Sequence, residues 1–264
     1  MKLKVLYVFL IFSIGSLHGQ NISVANEYLL LAENFKKDLK RDSAIVYYEK
    51  TAAIFQSLGN HEQLVNSYNQ IGVLHTSQDK YEEAKKYLDQ ALSIGLSSLD
   101  SNHLVIATTY ISLGVNYAAQ ENYNQSLFYH TKALSIRLSK LGENHADVAT
   151  SYGNIGNVYF RSKDFDKAIE AHLLAMKIRE NLFGNKSTEI TQSYTNLGNA
   201  YKEKKEYLSA LDYYLKALQN KLDQLGLKHK ELIVFYKNVS DTYYLMNEKE
   251  NGDLYKAKAD EISN

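Results

Sequence analysis

The side chains best suited to chemistry in this 264-residue chain are its eight histidines, and four of them keep a register. His61, His103, His145 and His229 fall at one position of a recurring pattern, with Ser187 in the remaining place. A zinc site needs its nitrogen donors to converge at about 2.0–2.1 Å from one metal. Side chains at one position of successive helix pairs stand about 10 Å apart or more, which makes a row and not a cluster. Capping of helix starts is therefore the expected role. His61-Glu62 has no second histidine four residues on, so the zinc-protease helix is absent. His130 and His172 share a different position, where packing is expected. The carboxylates Glu82, Glu83, Asp164, Asp166 and Asp212 sit at helix starts or on polar faces, the usual place of solvated charge. There is no Gly-rich phosphate loop and no Gly-x-Ser-x-Gly elbow. With zero cysteines, thiolate metal sites, disulfides, a cysteine nucleophile and the lipid-modified cysteine of a bacterial lipoprotein are all excluded. No set of groups converges as catalysis requires. The expectation is a non-catalytic protein with no cofactor and no metal.

The elements carrying these residues are copies of one unit. Tyr152-Gly153-Asn154-Ile155-Gly156 recurs at Tyr194, Tyr110 and Tyr68, and more loosely at Tyr236 and Tyr28. The leading tyrosines step by 42 residues, except for a first step of 40, and a fixed period of this size marks a helical repeat array. In the fourth unit the apolar spacing predicts a helix A from Ala146 to Arg161 and a break at Ser162-Lys163-Asp164, with Asp164 as N-cap. A helix B comes next and shows Phe165, Ala168, Ile169, His172, Ala175 and Ile178. Small residues recur at fixed offsets, as in Gly156/Ala168/Ala175, and are read as the close approach of A to B. Gly142, Gly184 and Gly226 are expected helix stops. Most of the 22 tyrosines fall at repeat positions, which points to packing.

These motifs resemble the tetratricopeptide repeat, with tyrosine in place of the usual tryptophan. Eight extra residues per unit and the connector Gly142-Glu143-Asn144-His145 are similar to the kinesin-light-chain subtype. The resemblance covers about residues 25–264. It implies an all-α, right-handed superhelical solenoid of about six helix-turn-helix units, at 23–60, 61–102, 103–144, 145–186, 187–228 and 229–264. The looser first and sixth units read as caps. The chain departs from the family in having no proline, so the breaks rest on Gly, Asn and Asp. The resemblance also implies that helix A lines a concave groove, bland in units two and three (Asn69, Val73, Ile111, Val115) and polar farther on. The partner-binding residues it implies are Asn157, Arg161, Thr195, Asn199, Lys202, Lys237 and Asp241. The function implied is a protein-interaction scaffold holding a peptide or protein segment. The alternative is an exported sensory or regulatory input module of a bacterial signalling system, acting in trans or cut from a larger protein.

Residues 1–19 differ in character from the rest of the chain. Met1-Lys2-Leu3-Lys4 is a basic start, Val5 to Ile14 is apolar, and small residues precede a cut expected after Gly19. That is the plan of a secretory signal peptide. The apolar run is shorter than the roughly 20 residues a bilayer requires. Residues 20–264 are then expected to be exported, periplasmic or secreted, without a stable membrane span. Thirty basic residues balance thirty acidic ones, so nothing marks a nucleic-acid partner.

Overall fold

The computed structural model describes the backbone of residues 2–263 and the side chains of residues 19–263. The expected signal peptide thus lies almost wholly outside the described side chains. The described residues form twelve α-helices and no strand. They fall into two compact units, Met1–Ile136 and Arg137–Asn264. The first holds α1 (Lys2–Lys37), α2 (Arg41–Ser57), α3 (His61–Thr76), α4 (Tyr81–Ser98), α5 (Leu104–Ala119) and most of α6 (Tyr123–Leu141). The second holds α7 (Ala146–Arg161), α8 (Phe165–Phe183), α9 (Thr188–Glu203), α10 (Tyr207–Leu225), α11 (Leu232–Leu245) and α12 (Lys249–Ser263). No described helix is long and apolar enough to cross a membrane.

Odd-numbered helices are the A helices and even-numbered ones the B helices. α7 has the bounds its sequence predicts, and Asp164 accepts from the Lys167 N–H as the N-cap of α8. Each A-to-B turn places one residue in the left-handed region: Leu39, Asp79, Glu121, Lys163, Lys205 and Asn247, at φ 60–65°. None is glycine, so each carries a steric cost of about 1–2 kcal/mol. The turn offsets this by satisfying the last carbonyls of the A helix: Lys163 N–H donates to Phe160 at 3.0 Å and Asp164 N–H to Tyr159 at 2.9 Å. The B-to-A connectors do use glycine, with Gly142, Gly184 and Gly226 at φ 74–78°, as expected of helix stops.

The cores are built from the recurring small residues. Ala32, Ala44, Tyr48 and Ile71 are buried together in the first unit, and Ala210, Tyr214, Leu218, Leu232 and Val239 in the second. The helix-A glycine adds a feature to its sequence-based reading. It is a socket for the side chain sixteen residues on. A Cβ at Gly156 would stand 2.6 Å from the His172 ring, at Gly198 2.6 Å from Tyr214, and at Gly72 2.5 Å from Leu88. Ala168 and Ala175 are fully buried as well. The last repeat inverts the arrangement: Ser240 replaces the glycine and donates to the Gly252 carbonyl at 2.8 Å. Gly252 on α12 then receives the Tyr244 ring of α11.

Candidate partner-binding face

His103 and His145 are the N-caps of α5 and α7, and His229 makes the same contact in the turn before α11. His103, His145 and His229 each accept at Nδ1 from the N–H two residues on, and the Ser187 hydroxyl accepts from Ile190. His61 departs from the row, because Asn60 caps α3 in its place. These side chains are engaged with their own helix starts, which explains the 42-residue spacing without any ligand. His130 and His172 are buried in the glycine sockets of Gly114 and Gly156, as packing residues.

The predicted partner-binding residues all lie on the A helices of the second unit. Asn157 and Arg161 on α7, Thr195 and Asn199 on α9, and Lys237 and Asp241 on α11 are pairs four residues apart, so each pair shares one helix face. Asn157, Arg161, Lys237 and Asp241 are exposed, while Thr195, Asn199 and Lys202 are half-buried. Thr195 donates its hydroxyl back to the Thr191 carbonyl at 3.0 Å. Asn199 accepts from the Tyr214 hydroxyl at 2.6 Å, so its carbonyl is already engaged. Burial, then the charges of Glu203 and Asp241, hold the Tyr214 hydroxyl well above the usual phenol range, which keeps it a donor. The Lys202 ammonium lies 6.0 Å from the Tyr214 ring centroid. Tyr214 thus gathers Asn199, Lys202 and the field of Asp241, while Asn157 is left to solvent.

The first unit presents a more apolar face at the matching positions, with Val73 39% and Val115 44% exposed. Asn69, read from sequence as a surface group, is 1% exposed and faces the interior.

Sequence reasoning missed a second row. Arg137, Arg179 and Lys221 stand 42 residues apart near the ends of B helices, and each has an acidic residue ten positions on. Arg137, whose side chain is 11% exposed, donates to the Asp147 carbonyl at 2.8 Å and to Ser151 Oγ at 2.9 Å. Arg179 donates to Ser193 Oγ at 2.7 Å, and its other terminal nitrogen lies 3.6 Å from where a Cβ on Gly153 would be. Lys221 meets Glu231 at 3.2 Å. Each cation ties a B helix to the first turns of the next A helix. The mixed Arg/Lys identity hid the row from a search by residue type, although its period was there to be found.

A tetratricopeptide-repeat profile matches residues 24–97, 66–139, 105–181 and 147–223. The chain belongs to the tetratricopeptide-repeat family. No curated protein matches it. Among solved structures it is similar to BtubC (BKLC) from P. vanneervenii, at 18% identity and TM-score 0.73 over 83% of this chain and 89% of that one. It is also similar to the putative kinesin light chain TPR-like repeats of Podosopora anserina, at 15% identity and TM-score 0.69 over 77% and 96%. The apo form of RapI aligns at 15% identity and TM-score 0.65 over 90% and 97%. At these identities the likeness is one of fold, and that fold is an all-α helical repeat, shared with kinesin-light-chain-like proteins.

Proposed function

We propose that this tetratricopeptide-repeat scaffold binds an extended protein segment along the A-helix face of its second unit. The observation that carries the reading is that Asn157 and Asp241 occupy equivalent positions on α7 and α11, that Lys237 lies one turn before Asp241 on the same face, and that all three are exposed. An exposed amide both donates and accepts, as an extended backbone requires, and Lys237 and Asp241 offer opposite charges to side chains along it. Binding would be a sum of small contacts on a preformed surface, with few dominant anchors.

The test is capture of partners by the chain from Gln20 and by its Asn157→Ala/Lys237→Ala/Asp241→Ala variant, with folding checked by circular dichroism. Asn199 is left intact because removing it would strand the Tyr214 hydroxyl. A partner held by the first protein and lost by the second supports the reading; a partner held equally by both refutes it. We also propose export, resting on the character of residues 1–19. Mass spectrometry of the protein from its native host is expected to find a mature N-terminus at Gln20, and an intact Met1 would refute that.

A further inference from the structure

The cleft between α10 and α12 stands apart from the A-helix face and has a different chemistry. It measures about 440 Å³, within the size range of small-molecule sites. Leu215, Leu218 and Leu222 of α10 give it an apolar lining, with Tyr236 of α11 alongside. Tyr236 is 6% exposed as a residue, and its hydroxyl makes no hydrogen bond among the described residues. Burial, then Tyr255 and Glu261, keep that hydroxyl protonated and therefore a donor. At the rim, the Lys258 ammonium rests 4.9 Å over the Tyr255 ring without a carboxylate partner among the described residues. The other rim lysine, Lys216, is already paired with Asp212 at 2.7 Å, and Gln219 is bonded to Asp223.

The preceding repeat has a different wall at the equivalent place. Forty-two residues earlier, Tyr194 corresponds to Tyr236, Tyr213 to Tyr255 and Lys216 to Lys258, but Glu180 stands where the cleft has Leu222. There burial raises the pKa of the Tyr194 hydroxyl and the Glu180 carboxylate adds to it, as Glu261 does for Tyr236. In the last repeat the tyrosine and the lysine are kept while the carboxylate is replaced by an apolar side chain.

We propose that this cleft binds a small amphiphilic carboxylate. Its carboxylate accepts from the Tyr236 hydroxyl and pairs with Lys258, while its apolar tail lies on Leu215 and Leu222. The site does not depend on the partner-binding face and would stand if that reading failed.

The probe is octanoate, titrated into the full chain by calorimetry and by amide NMR, with octanamide as the neutral control. Octanoate is expected to shift amides of α10 and α12 and to bind at least about tenfold more tightly than octanamide, since hydrogen bonds to a charged group are the strong ones. Tyr236→Phe keeps the ring and is expected to weaken octanoate binding about three- to tenfold, and Lys258→Gln about tenfold. Leu222→Glu, which puts a carboxylate in the cleft wall, is expected to abolish binding. Folding of each variant is checked by circular dichroism. The proposal is overturned if octanoate fails to bind at millimolar concentration, if octanamide binds as tightly, or if Tyr236→Phe and Lys258→Gln leave the affinity unchanged.

Discussion

Acidification is expected to loosen this fold through one buried imidazole. His172 fills the socket over Gly156, and burial, with the Arg179 charge adding to it, lowers its pKa from 6.5 to about 4. In the unfolded chain the same side chain titrates at about 6.5. Between these values the unfolded state takes up a proton that the folded state refuses. His172 therefore costs nothing above about pH 7, and the cost grows as the pH falls through 6.5 towards 4. At pH 4.5 the linkage amounts to about 2.5 kcal/mol, and its limit at lower pH is about 3.4 kcal/mol. Leu88 fills the equivalent socket of the second repeat, so His172→Leu is a replacement the fold already uses.

The assay is urea unfolding followed by circular dichroism at pH 7.5 and 4.5, on the parent chain and on His172→Leu. Carboxylates and the other histidines titrate alike in both proteins, so the difference between their losses isolates His172. The parent is expected to lose about 2–3 kcal/mol more than the variant over this interval. Equal losses would refute the argument, and so would an imidazole that titrates near 6.5 in the folded protein by NMR.

Other perturbations test the packing. Gly156→Ala is expected to destabilise by about 1–3 kcal/mol despite alanine's better helix propensity, because its Cβ would meet the His172 ring at 2.6 Å. The same change in a His172→Ala background is expected to be neutral or stabilising in urea unfolding. Removing the hydroxyl under Arg179, by Ser193→Ala, is expected to cost about 1–2 kcal/mol, since it takes an acceptor from a half-buried cation. Arg179→Met is expected to stay within about 1 kcal/mol of the parent, as replacing a buried charge by an apolar chain of similar length often does. Finally, Lys163→Gly relieves the left-handed backbone at φ 64° and is expected to raise stability by about 0.5–1 kcal/mol, measurable as a shift in thermal midpoint.

What the sequence discloses and what it withholds divide along a physical line. Helix positions follow from a periodicity that recurs in every repeat, so tyrosines 42 residues apart and Asp164 before Phe165 suffice to bound α7 and α8. The glycine socket is different, because it selects for shape and not for residue type. Leu88, His130, His172 and Tyr214 all fill it, and nothing in a pattern of types connects a leucine to a histidine. That choice in turn decides which surface residues are free. In the first repeat Tyr48 engages Glu33, and in the fifth Tyr214 engages Asn199, from equivalent positions. In the fourth repeat the socket holds His172, and Asn157, equivalent to Asn199 in sequence, faces solvent. Two asparagines that look interchangeable on the repeat thus differ in what they can offer a partner. The difference originates fifteen residues away, in the ring that packs beneath them.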